Sequence, residues 1–384
     1  MTIIGGTTLL IANSLSNQTL AYSMLQNKNR SEKDAATEYR KTWAAKIRRI
    51  HRFFGPDRAD SLHILNLISA DSNLRYGLLN DPTVGVEVRK AFDALELPQR
   101  GIDTRHRVVA CGESYIPSPL MHVAITAKRL VEAGEVNTIV ELGSGSSDNL
   151  FRCYHLIDWP FRQSVEFFGC EFTEKGREAA ELLASREPEM QFTGYPFNYY
   201  KPDLDFLKDR PRKIMFFSNH SIEQITTLPD VFFETLLQFP GCHVAHNEPV
   251  GWQAHPLVAK ARRTGDKAFF EKIRSNLTLL PTWKERYSFD PVLRAYARTP
   301  VSFNSGFWSF SKGYNTNLLE QLNTLKAAKR IQISTLEIHH APGNLFVPAA
   351  VNPFNASTFI EWNNLSSAVT PVATEGTGTS TPAP

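Results

Sequence analysis

The chain has 384 residues, enough for one large domain or two ordinary ones. A hydrophobic share of 42% with 25 phenylalanines supports a sizeable core, and a net charge of +3 gives no general reason to expect nucleic acid as a partner. No apolar run approaches the ~20 residues that a membrane-spanning helix needs.

The first apolar patch, Leu9-Leu10-Ile11-Ala12, lacks a basic leader and is too short to span a bilayer. Residues 1–135 read as a helical domain. Ser31-Glu32-Lys33-Asp34 opens a helix with acids in its first turn, and Gly55-Pro56 closes it. Arg48-Arg49-Ile50-His51-Arg52 within it is a short basic cluster, read as a solvated helix face. Further helices are expected from Ala59 to Leu78 and from Val86 to Leu95. Another runs from Ser118-Pro119-Leu120, with a serine cap and proline at the first helical position, to about Ala133.

From residue 136 the pattern changes to alternating strand and helix. Strands are predicted at Thr138–Glu141, Val165–Glu171, Met190–Thr193, Lys213–Phe217, Cys242–Asn247, Gln332–Ile338 and Thr358–Trp362. Helices fit between them at Asp148–Ile157, Glu174–Ser185, Ile222–Leu228 with Val231–Gln238, and Asn315–Lys326. Such alternation predicts an α/β fold, a mostly parallel sheet with helices on both faces. Residues 249–313 interrupt it with an aromatic-rich insertion that includes Trp252, Trp283, Tyr287, Phe303 and Trp308. A loop of that length suits either a substrate cover or packing on the core. Residues 366–384, rich in Thr, Pro, Gly, Ser and Ala, read as a disordered tail. The four cysteines show no CxxC spacing and read as reduced thiols of a cytoplasmic protein.

The chemistry concentrates at the predicted strand ends. The first strand ends in Glu141-Leu142-Gly143-Ser144-Gly145-Ser146-Ser147, an acid followed by two glycines that let the backbone come close to a ligand. The second ends in Cys170-Glu171-Phe172, an acid placed to hold ribose hydroxyls. This pair resembles motif I and the second-strand acid of the class I (Rossmann-like) S-adenosylmethionine-dependent methyltransferases. Glu141, Gly143 and Gly145 match the motif, and Ser147 stands where its last glycine belongs. An acid before the glycines suits a cationic sulfonium and amine better than a pyrophosphate.

The resemblance, which spans about Thr138 to Trp362, implies a seven-stranded methyltransferase sheet with an antiparallel last strand. It implies S-adenosyl-L-methionine as cofactor, with the helical domain packed over its cleft. It assigns cofactor contacts to Glu141, Gly143, Ser144, Gly145, Glu171, Phe172, Asn198, Ser218 and Asn219. For Asn198 a plain turn role stands beside adenine recognition.

The fourth strand runs into Ser218-Asn219-His220-Ser221-Ile222-Glu223-Gln224, the densest polar cluster in the chain. A shorter resemblance, carried by these residues and Tyr314-Asn315-Thr316-Asn317-Leu318, is to bacterial sugar O-methyltransferases. His220 is the candidate base for a substrate hydroxyl, because imidazole titrates near neutrality. Glu223 either orients His220 or, with Glu248 after the fifth strand, clamps a cationic substrate. His220 and Glu223 also fit the first turn of a helix capped by Ser218 or Asn219. No paired aspartates of a metal-dependent enzyme appear, so no metal is assigned.

Three functions follow in order of expectation. The first is methylation of a hydroxyl on a small molecule such as a sugar or natural product. The second is N-methylation of an amine, amide or peptide, and the third is a non-catalytic binding protein that keeps the fold. The partner is a small molecule or peptide, with neither nucleic acid nor membrane, and the oligomeric state, homo-oligomer included, is left open.

Overall fold

Seven strands form one sheet in the order β3-β2-β1-β4-β5-β7-β6. They are β1 (Thr138–Leu142), β2 (Glu166–Glu171), β3 (Gln191–Pro196), β4 (Ile214–Asn219), β5 (His243–Glu248), β6 (Ile331–Glu337) and β7 (Thr358–Asn364). The computed structural model describes residues 32–54, 60–68, 118–275, 305–306, 309–310, 312–338 and 357–365. The expected helices over 86–95, most of 69–78, the aromatics of 276–304 and the tail lie outside these residues.

The central strands β1 and β4 are buried along almost their whole length, as strands covered on both faces must be. The edge strands β3 and β6 instead alternate in exposure. Strands β1 to β5 pair in parallel, and β7 runs antiparallel to both β5 and β6. All seven predicted strands are present, with ends displaced by at most three residues.

Helices cover both faces. One face carries α1 (Glu32–Phe53), a helical segment over 61–68, α2 (Ser118–Glu132), α3 (Asp148–Leu156) and α4 (Glu174–Ala184). Their residues Ile50, Phe53, Ile64, Val123, Leu150 and Ala179 share one apolar core with Ile139, Phe167 and Phe217 of the sheet. The other face carries α5 (Asp230–Leu237) and, beyond the short α6 (Pro256–Thr264) and α7 (Lys267–Ser275), α8 (Leu318–Ala327). Phe232, Leu236, Leu318 and Leu322 pack there on Val140, Phe216, Val244 and Trp362.

Two expectations are corrected. The predicted helix Ile222–Leu228 is only a 3-10 turn, Ile222–Gln224. The helix predicted from Asn315 begins at Leu318, although Asn315 still serves its start: its Oδ1 accepts from the backbone N of Asn317 and Leu318. Trp252 of the insertion is buried with Val258, Ala261 and Phe270 in a small core of its own. Cys153, Cys170 and Cys242 are buried free thiols whose pKa values burial drives upward. No helix among the described residues is long and apolar enough to cross a membrane.

Candidate active site

The glycine turn between β1 and α3 uses three left-handed residues, Gly143 (φ 68°), Gly145 (φ 57°) and Ser147 (φ 57°). Two are glycines, which adopt this conformation without a Cβ penalty. Ser147 adopts it as a non-glycine, which shows why the related motif places glycine there. Its hydroxyl donates to Ser144 Oγ at 3.1 Å and points at β2, where a β-carbon on Gly169 would stand 2.2 Å from Ser147 Oγ. The serine is thus accommodated by a glycine in the neighbouring strand. Gly169→Ala is expected to destabilise the fold by about 1–3 kcal/mol through overpacking. Ser147→Gly should recover part of that loss, since Phe192 also presses on the site at 3.2 Å. Urea melts of the two single variants and the double variant measure the coupling, and strict additivity would refute it.

Glu141 is the last but one residue of β1 and is 1% exposed. Its Oε1 accepts from Asn149 Nδ2 at 2.5 Å, while Oε2 is buried without a partner. Asn219 Nδ2 donates to Asn149 Oδ1 at 3.4 Å, and Asn247 Nδ2 donates to Asn219 Oδ1 at 2.5 Å. A polar chain therefore runs across β1, β4 and β5 under the N-terminus of α3. Burial pushes the Glu141 pKa up to about 8. An orphan carboxylate oxygen is costly unless a donor or cation meets it.

Glu171 at the end of β2 accepts from Gly145 N (3.0 Å) on Oε2 and from Thr173 N (2.9 Å) and Thr173 Oγ1 (2.6 Å) on Oε1. It ties the two strand ends together and keeps an acceptor position on Oε2. Phe172 beside it is exposed. Asn198 shows the turn role expected beside adenine recognition. Its Oδ1 accepts from Tyr200 N at 2.8 Å, closing a turn, which is the plainer of its two roles. Ser218 is placed elsewhere: it is fully buried, with Oγ 2.9 Å from His246 Nδ1, on the sheet face opposite Glu141. Burial drives the His246 pKa down to about 3, so that ring is neutral.

His220 follows the last residue of β4 and adopts the left-handed region, φ 53°. Strained non-glycine residues of this kind concentrate at functional sites. Its Nε2 lies 2.7 Å from Ser357 Oγ, and its Nδ1 is 3.7 Å from Glu223 Oε1. Burial of the ring favours the neutral form, but Glu223 and the Glu248 charge outweigh it, and the His220 pKa is raised. Glu223 Oε2 is buried and unpartnered and lines a cavity of about 10 Å³ with Tyr314 and Asn315. A larger cavity, about 530 Å³ between Trp252, α8 and β6, lies away from this cluster.

The expected Glu223–Glu248 clamp does not form. Glu248 is 0% exposed, and its carboxylate accepts from the backbone N of Ser221 (3.1 Å), Ile222 (3.2 Å) and Glu223 (3.1 Å). It shapes the turn that carries His220, and burial raises its pKa to about 7. Tyr199, which the sequence did not single out, donates its hydroxyl to Leu142 O at 2.7 Å and lies 2.7 Å from Ser221 Oγ. It straps the glycine turn to the β4 turn. Its only sequence signal is the alternation Phe197-Asn198-Tyr199. Trp43 and Lys46 of α1 were likewise missed: Trp43 lies on Gly145 and Lys46 pairs with Asp148.

No protein-family model matches the sequence, and no curated protein matches it. Among solved structures, the chain is similar to an O-methyltransferase from Bacillus cereus in complex with SAH. Identity is 13%, over 63% of this chain and 80% of that one, with a TM-score of 0.31. It is also similar to the O-methyltransferase TomG from Streptomyces achromogenes, involved in tomaymycin synthesis and solved with SAM. There identity is 12%, over 78% of this chain and 90% of that one, with a TM-score of 0.32. Both likenesses are distant. The single reversed seventh strand, the helices on both faces and the glycine turn between β1 and α3 make the seven-stranded α/β sheet that the sequence resemblance implies.

Proposed function

We infer that the protein binds S-adenosylmethionine and transfers its methyl group to a hydroxyl of a small molecule. The observation that carries this reading is the orphaned, buried Oε2 of Glu141 beside a left-handed glycine turn. A buried carboxylate oxygen without a donor of its own fits a ligand that brings a cationic amine. Glu171 would take ribose hydroxyls on its remaining acceptor position, and Phe172 offers an exposed aromatic surface next to it.

The cofactor supplies an activated methyl on a sulfonium, so the protein's task is to position the acceptor and manage its proton. His220 is the base in this reading. Glu223 on the Nδ1 side favours the tautomer with hydrogen at Nδ1 and leaves the Nε2 lone pair for an incoming hydroxyl. Ser357 Oγ at 2.7 Å from Nε2 marks where a hydroxyl meets that nitrogen. Glu248 keeps the turn in place through its three backbone bonds.

Calorimetry with S-adenosylhomocysteine tests the cofactor. Incubation with methyl-labelled cofactor and panels of hydroxyl and amine acceptors, read by mass, tests the reaction. Binding in the micromolar range with label on a hydroxyl is the expected result. Label found on amines alone would replace the base-assisted reading, and absence of binding would remove the enzyme reading.

A further inference from the structure

The glycine turn is closed over by the chain itself. Gly145, Ser146 and Ser147 are buried, as are Ser144 and Glu171. The cover on Gly145 is the indole of Trp43 from α1: a β-carbon on Gly145 would stand 2.6 Å from the Trp43 ring. Trp43 therefore rests on bare backbone where only glycine leaves the space. The indole Nε1 is buried there without an acceptor, a state that native interiors rarely tolerate. About one helical turn further on, Lys46 pairs with Asp148 in the first turn of α3.

Helix α1 is held unequally along its length. Ile50 and Phe53 sit in the main core. Toward its middle, Trp43 lies on the turn with its Nε1 unsatisfied and stacks on Tyr39, and Lys46 holds a part-exposed ion pair to Asp148. Part-exposed ion pairs hold weakly, so the stretch of α1 around Trp43 and Lys46 is the part that can lift from the turn.

We propose that Trp43 is the gate of the cofactor site. Its indole occupies the face of Gly145, and the ligand enters only when Trp43 leaves, with the Lys46–Asp148 pair opening in the same movement. This deepens, and rests on, the reading of the turn as the seat of S-adenosylmethionine. A ligand that enters only a minor open state associates at a rate scaled by the open fraction. A residue that merely walls the pocket acts otherwise: removing it leaves entry unchanged and speeds departure.

Stopped-flow association of S-adenosylhomocysteine with the full chain separates these cases. In Trp43→Ala the association rate should rise about tenfold or more. In Lys46→Met, which leaves the core untouched, it should rise about threefold. An unchanged association rate with faster dissociation makes Trp43 a wall and overturns the gate. Should Trp43→Ala fail to fold, Lys46→Met decides alone, and an unchanged rate there overturns the gate. If neither the wild type nor the variants bind at millimolar ligand, the cofactor reading falls and the gate falls with it. Binding by wild type with unaltered variant kinetics removes the gate alone.

Discussion

His220→Ala is expected to lower kcat by about 10²–10⁴-fold while S-adenosylhomocysteine binding stays within about threefold of wild type. The imidazole stands at the end of β4 with Nε2 2.7 Å from a hydroxyl and Nδ1 facing Glu223. Its raised pKa gives the pH dependence a direction. A base works only when deprotonated, so kcat should rise with pH through a midpoint above the ordinary imidazole value. Glu223→Gln removes the carboxylate that favours the imidazolium. The ring then gives up its proton more easily, and the acidic limb should move to lower pH. A kcat–pH series on wild type and Glu223→Gln, with bound S-adenosylhomocysteine as the check on folding, reads both effects. Retained turnover in His220→Ala, or a limb that moves upward in Glu223→Gln, would assign the proton to another group.

The legibility of this chain follows from how local each signal is. The strands were readable because β1 and β4 carry the apolar runs Ile139-Val140 and Ile214–Phe217 and β5 carries Val244-Ala245, each followed by the polar residues that end it. The Ile222–Leu228 helix was misread because the deciding partner is distant. Glu248, about 25 residues on, captures the backbone N of Ser221, Ile222 and Glu223 and fixes a tight turn where helix periodicity alone suggests more. The same capture explains why Glu248 looked like a substrate ligand, since an acid at a strand end reads alike whether it faces a cleft or the backbone. Ser218 was misplaced because strand alternation puts it on the face opposite Asn219. The Trp43–Gly145 contact spans 102 positions and leaves no local trace beyond an aromatic on the buried face of an amphipathic helix. Ser147 stood unexplained in place of the motif's last glycine because its accommodation, the gap at Gly169, lies in a different strand.

Glu141→Gln should make the unliganded protein more stable and the liganded one weaker. Burial holds the Glu141 pKa at about 8, against 4.5 for the ordinary side chain. The folded chain therefore keeps a proton that the unfolded chain releases, and folding loses stability as pH rises between those two values. The accumulated cost at pH 8 is on the order of a few kcal/mol. Glutamine carries no such proton, so Glu141→Gln should raise Tm by roughly 5 °C or more at pH 8 and leave it nearly unchanged at pH 4. Ligand binding should show the converse. An ammonium group meeting the orphan Oε2 favours the carboxylate, so the wild type releases a proton on binding at pH 7. Its Kd for S-adenosylhomocysteine should then tighten with pH up to about 8, by at most about tenfold per unit. In Glu141→Gln the Kd should lose that dependence and be about 10–100-fold weaker at pH 8, the worth of one charge-assisted hydrogen bond. Titration calorimetry in two buffers of unequal ionisation enthalpy counts the released proton directly. A Gln variant that binds as tightly as wild type at pH 8 would leave Glu141 only its bond to Asn149, and the cation seat would have to be sought elsewhere along the turn.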